Sequence, residues 1–167
     1  MSPGHLDLEA RAHSEHAQEL RLWLRLLACS QFIEKRVRTG LREQFGTTLP
    51  RFDLMAQLER HPEGLKMKEL SHRLMVTGGN VTGITDQLVA EGLVERTGVE
   101  GDRRVFRVRL TARGRTLFTE MARQHEDWIV QAFEGLSARE LDQLHRLLGK
   151  VKQHQLDLNR RLDANAE

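Results

Sequence analysis

No proline follows Pro62, and that absence governs what the rest of the chain can become. Proline removes an amide donor and clashes with the preceding helical turn, so a long stretch without it leaves room for long helices. From Leu110 onward the glycines fall mainly at candidate boundaries. A fifth helix is expected over about Thr111 to Phe133, ending near Gly135-Leu136-Ser137. There Ser137 and Glu140 make a capping box for a sixth. Its seam is Leu141, Leu144, Leu148, Val151, Gln155, Leu158 and Leu162, all at helical spacing. A first helix, about His16 to Phe45, carries two stripes, one with Leu20, Trp23, Leu24 and Leu27, the other with Leu26, Ile33 and Val37. Together these three helices offer more apolar surface than one small fold covers, so helix exchange with a second copy is expected.

The middle of the chain is punctuated differently. Gly46-Thr47-Thr48-Leu49-Pro50 ends the first helix, and Pro50 suits the first turn of a second that reaches about Arg60. His61-Pro62-Glu63-Gly64 is a turn, and a short third helix follows over about Lys66 to Leu74. Thr77 is placed to cap a fourth helix, about Gly78 to Glu91, which Gly92 stops. Two strands come next, Leu93 to Val99 and Val105 to Leu110, joined by Glu100-Gly101-Asp102-Arg103. The expected fold class is mainly α with a small β-hairpin: a winged helix-turn-helix in a helical homodimer. The expected boundaries are a flexible arm at 1–15, dimerisation helices at 16–48 and 111–162, the winged domain at 49–110, and a tail at 163–167.

With 167 residues, 39% of them hydrophobic and 30% charged, the chain suits one domain with a real core. No apolar run approaches the roughly 20 residues that span a bilayer, which argues against a membrane partner. The N-terminal residues carry acids and histidines rather than a basic and then an apolar region, so no signal peptide is read there. Cys29 is the single cysteine, which excludes an internal disulfide. A cytoplasmic protein is expected. The net charge is only +2, yet residues 60–115 hold eleven Lys and Arg against seven Asp and Glu. Six arginines fall between Arg103 and Arg115, a local excess that points to a polyanion.

Helix, short turn, helix and a basic hairpin form one constellation. On the fourth helix Val81, Ile84 and Leu88 face inward, which turns Gly79, Thr82, Gly83 and Asp86 outward. Small residues at Gly78, Gly79, Asn80 and Gly83 permit close approach to a groove floor, and the first amides of the helix favour a phosphate. Glycines inside a helix cost roughly 0.5–1 kcal/mol each relative to alanine, which is easier to understand where something must come close. The hairpin presents Arg103 and Arg104 at its tip, where an arginine can enter a narrow minor groove. On the returning strand Arg107 and Arg109 share one face, and Phe106 and Val108 are expected to share the other against the core.

Asp102-x-Arg104, then Leu110-Thr111-x-x-Gly114, resembles the wing signature of the MarR family of bacterial transcription regulators. Leu54-x-x-Gln57-Leu58, Lys68-Glu69-Leu70-Ser71 and the run from Val81-Thr82 to Glu91-Gly92-Leu93-Val94 follow the same pattern, over about residues 20 to 152. The resemblance implies a homodimer held by the first, fifth and sixth helices, with two winged domains on pseudo-palindromic double-stranded DNA. It implies recognition-helix roles for Thr77, Thr82 and their neighbours and wing roles for Arg103 and Arg104. Asp86, and with it Asp102, would brace the wing. Gly78, Gly79 and Gly83 depart from the pattern, since relatives often carry Ser, Lys or Arg there.

Residues 47–55 and 76–83 also resemble regulators of aromatic-acid catabolism, including those answering to hydroxycinnamoyl-CoA thioesters. An effector pocket is implied where the first, second and fifth helices meet, holding Trp23, Phe32, Arg36, Arg51, Phe52, Met55 and Trp128. Aromatic and Met surfaces suit an aromatic ring, and arginine suits a carboxylate or phosphate. No nucleophile motif, phosphate loop or metal-ligand spacing appears, so neither an enzyme nor a metal or cofactor site is expected. Metal sensing through His13, His16 and His125 is one alternative. Redox sensing through Cys29 is another, weakened by the absence of tyrosine and by the apolar neighbours that read Cys29 as buried.

Overall fold

The computed structural model describes residues 17–74, 78–99 and 102–164, apart from the side chains at 78, 79, 99 and 102–105. It contains α1 (Ala17–Phe45), α2 (Leu49–Glu59), β1 (Leu65–Lys66), α3 (Met67–Leu74), α4 (Gly78–Ala90), β2 (Val94–Val99), β3 (Asp102–Leu110), α5 (Ala112–Phe133) and α6 (Ala138–Ala164). The chain divides into two compact units, residues 1–128 and residues 129–167.

In the first unit the core forms where the periodic apolar residues of each helix converge. Leu41 of α1, Leu54, Met55 and Leu58 of α2, Leu70 of α3 and Val81 and Leu88 of α4 are all buried. Gly46 ends α1 in the left-handed region, at φ 60°, with its amide donating to the Arg42 carbonyl at 3.1 Å. Pro50 then sits in the first turn of α2, where its missing amide costs nothing. Lys66 donates its amide to Glu69 Oε2 at 2.8 Å, which caps the start of α3 and holds the Glu69 carboxyl below its usual range.

The sheet is antiparallel, three-stranded and ordered β1-β3-β2. Its short strand is an addition to the expected hairpin: Leu65 pairs with Val108 and Lys66 with Arg107. Two residues show no alternation, so local pattern cannot reveal such a strand. Val94 to Gly98 pair in register with Leu110 to Phe106, and the register shifts between Gly98 and Val99. Val108 is fully buried, but Phe106 is 48% exposed, which corrects its expected place on the core. Phe106 lies opposite Gly98, a partner with no side chain to pack against it. Cys29 is exposed, a second correction to an expected burial. The residues beside it in sequence do not share its helix face.

The second unit is chiefly α6. Ser137 donates its amide to Glu140 Oε2 at 2.8 Å, and the Glu140 amide reaches Ser137 Oγ at 3.4 Å, completing the expected capping box. No residue of α6 is buried, and Leu141, Leu144, Leu148, Val151 and Leu162 are exposed.

Candidate nucleic-acid interface

Within α4 the two faces separate as the spacing requires. Val81, Ile84, Thr85 and Leu88 are buried, and Asn80, Thr82, Gly83, Asp86 and Gln87 are exposed. Thr85 is the polar residue on the inner face, and its hydroxyl donates to the Val81 carbonyl at 2.8 Å, so its burial leaves no polar group unpaired. Among the described residues, a Cβ added at Gly83 would meet nothing within 4 Å. The glycine is therefore not demanded by packing against the described residues. Gly78 and Gly79 begin α4; Thr77 lies outside the described residues.

The far end of α4 is held on several sides. The Gly92 amide donates to Val89 and the Leu93 amide to Leu88, both at 2.9 Å, with Gly92 at φ 70°. That is a Schellman ending. Thr111 Oγ1 donates to the Gly92 carbonyl at 2.8 Å and accepts from the Gly114 amide at 3.0 Å, so it caps α5 while tying it to the end of α4. Gly114 is required by space: a Cβ there would stand 1.9 Å from the Leu93 carbonyl oxygen. Arg113 adds a bond to the Glu91 carbonyl at 3.0 Å.

Several arginines of the basic segment have structural partners. Arg107 donates to the Gly64 carbonyl at 2.8 Å, locking the wing to the turn after α2. Gly64 itself has φ 84°, and a Cβ there would come 2.8 Å from the Val108 carbonyl oxygen. Arg109 pairs across the strands with Glu95 at 2.6 Å. Among the described residues Asp86 pairs with Arg96 of β2, an arginine that sequence reasoning did not single out. The signal available was the opposite charge of Asp86 and Arg96, ten residues apart across a turn and strand start. Asp102, Arg103 and Arg104 open β3, and their side chains lie outside the described residues.

Of the residues read as an effector pocket, the structure brings together Phe32, Arg36 and Trp128. They line a cleft of about 390 Å³ with Lys35, Thr39, Gly40, Glu43 and Gln44. Gly40 makes the notch: its Cβ would fall 2.4 Å from Trp128 Cζ2. Trp23 is 55% exposed and does not line that cleft. Phe52 and Met55 are core, with Phe52 stacked on Phe118 at 5.4 Å and tilted against His125 at 5.0 Å. Arg51 lies elsewhere, paired with Glu91. That pairing holds the Glu91 carboxyl below its usual range.

A second cleft, about 310 Å³, is lined by Glu34, Arg38, Leu49, Pro50, Asp53, Leu74 and Ile84. Burial pushes the Asp53 carboxyl up, countered by His125 and Arg38, and burial pushes the His125 imidazole down, countered by Asp53. Sequence reasoning passed over Asp53, because a lone carboxylate early in a charged helix reads as an ordinary solvated charge. Among the described residues no group of three His, Cys, Asp or Glu is placed to hold a metal ion. Among them, too, no helix is long and apolar enough to cross a membrane.

Residues 45–105 match the family model described as the MarR family. The transcriptional regulator PecS of Dickeya dadantii is 30% identical over 105 residues, 62% of this chain and 63% of PecS. The chain thus spans less than two thirds of the curated relatives it matches. A MarR family transcriptional regulator from Silicibacter pomeroyi is 30% identical, with a TM-score of 0.70, over 85% of this chain and 99% of that one. FabT of Streptococcus pneumoniae, solved in complex with DNA, is 25% identical with a TM-score of 0.71, over 83% of this chain and 97% of that one. The family match falls on the winged helix-turn-helix, and the Silicibacter pomeroyi regulator is matched over almost its whole length; this chain belongs to the MarR family.

Proposed function

We propose that this chain is a DNA-binding transcriptional regulator that grips a pseudo-palindromic operator as a homodimer. The observation that carries the reading is the division of α4: an inner face of buried Val81, Ile84, Thr85 and Leu88, and an outer face where Asn80, Thr82 and Gly83 are solvent-exposed beside an arginine-rich wing. Small polar residues at the start of such a helix suit base edges in the major groove, and Arg103 and Arg104 suit phosphates or the adjacent minor groove. Two half-sites centred about 34–36 Å apart would match a two-fold protein. FabT, a structural neighbour, has been seen on DNA, which supports the reading by likeness. The chain would act as a cytoplasmic repressor.

The finer reading is release by an aromatic acid or its CoA thioester, with genes of aromatic-compound catabolism as the target. Phe32 and Trp128 offer ring surfaces in the first cleft, and Lys35 and Arg36 offer charge to a carboxylate or phosphate. A ligand that binds the DNA-incompetent arrangement better shifts the population toward it. Gel shifts with duplexes from upstream of the chain's own gene, followed by titration with aromatic acids and their CoA thioesters, test both levels. Operator binding is expected, with release by one of these compounds and weaker release from Arg36→Ala. Absence of any DNA binding overturns the first level; release of wild type and Arg36→Ala at equal concentration overturns the second.

A further inference from the structure

The Arg51 side chain is 16% exposed, although it carries a permanent charge. Its Nη2 donates to Glu91 Oε2, and its Nε is buried with no hydrogen-bond partner among the described residues. A guanidinium so withdrawn from water depends on the carboxylate that pairs with it. That partner lies 40 residues away, immediately after the last residue of α4. Arg51 stands in the first turn of α2, so the ion pair joins the scaffold helix to the end of the candidate recognition helix. The Glu91 carbonyl receives Arg113 of α5 at 3.0 Å, and the next carbonyl, Gly92, receives Thr111 at 2.8 Å. The end of α4 is thus anchored by one ion pair from α2 and two hydrogen bonds from the start of α5. The outer face offered to DNA, Asn80 to Asp86, lies toward the other end of the same rigid helix. A small rotation at Glu91 therefore displaces the residues that would read bases.

We infer that Arg51 and Glu91 are positioning residues for DNA recognition: their ion pair sets the angle at which α4 is presented, without either residue touching DNA. The inference rests on the DNA-binding reading above. It also takes Arg51 out of the effector pocket, since its charge is committed to Glu91 and it lines neither cleft.

The test uses the full chain and a duplex selected from a random pool by the wild-type protein. Glu91→Gln, Arg51→Gln and the exchanged pair Arg51→Glu with Glu91→Arg are titrated on that duplex and on random-sequence DNA. Folding is followed by circular dichroism. Couplings carried through such networks correspond to roughly two- to thirty-fold in affinity. Each single variant should lose operator affinity within that range, hold its affinity for random DNA and keep the wild-type slope of log K against log salt. The exchanged pair should recover most of the loss. Removing a residue that meets a phosphate makes that slope shallower by about one, so a shallower slope in Arg51→Gln would overturn the inference. Unchanged operator affinity in both single variants, or equal losses on operator and random DNA, would overturn it as well. Glu91→Gln is isosteric at a half-exposed side chain and stands alone if Arg51→Gln does not fold. Failure of the wild type to select any duplex would instead bring down the DNA-binding reading itself.

Discussion

Gly114 shows how much one missing side chain can decide. Its Cβ would sit 1.9 Å from a backbone oxygen, that of Leu93, which belongs to the segment joining α4 to the wing. Neither the strand nor the start of α5 can yield without losing the Thr111 bonds to Gly92 and Gly114. Overpacking of that kind costs about 1–3 kcal/mol, so Gly114→Ala should lower the midpoint of thermal unfolding by several degrees. An unchanged midpoint would mean that the contact relaxes freely. His125 makes a second residue-level case. Burial depresses its pKa below the unfolded value of 6.5, so the unfolded chain takes up its proton first as pH falls. Its contribution to stability is complete above 6.5 and is lost as pH falls through the folded value. Asp53, raised from 3.8, runs the opposite way. The comparison is therefore between chains: His125→Gln should lose less stability than wild type between about pH 7.5 and about pH 5.5 in denaturant titrations.

At the scale of elements, the helices are held by their ends as much as by their faces. Ser137 and Glu140 close the start of α6 reciprocally. Ser137→Ala should cost about 0.5–2 kcal/mol, read as helix content lost at lower denaturant. Element order and helix bounds were legible because each helix carries its own period and stop signal. Val81, Ile84 and Leu88 fall where a turn of 100° per residue places them, and Gly92 terminates α4 through a left-handed backbone. What escaped the sequence is whatever depends on partners far along the chain. The strand Leu65–Lys66 exists only because β3 lies beside it, and Arg51 finds Glu91 across 40 residues. Phe106 and Cys29 escaped for a different reason. Each was judged by its sequence neighbours, although exposure depends on what lies opposite in space. In the candidate effector region, ring-bearing residues could be found by type, but Phe52 and Met55 could not be told from core without the fold.

At the scale of the whole molecule, α6 has no buried residue and an apolar seam through Leu141, Leu144, Leu148 and Val151, so the second unit has little to stabilise it alone. Pairing with a second copy would cover that seam. Leu148→Glu places a charge in its middle, and light scattering should then report monomer where the wild type reports dimer. A dimeric variant would put the interface elsewhere. The proposed act itself, two wings and two recognition helices closing on one operator, has an electrostatic signature. Arginine–phosphate contacts release counterions, so operator affinity should fall linearly on a log–log plot against salt, and Arg104→Ala should reduce the slope by about one per subunit. Thr82→Ala, by contrast, should keep the slope and alter base preference. Operator titration of the wild type and Arg104→Ala across a series of salt concentrations is the most direct measurement. A steep wild-type slope made shallower by Arg104→Ala is the expected result; a flat wild-type response would contradict the account.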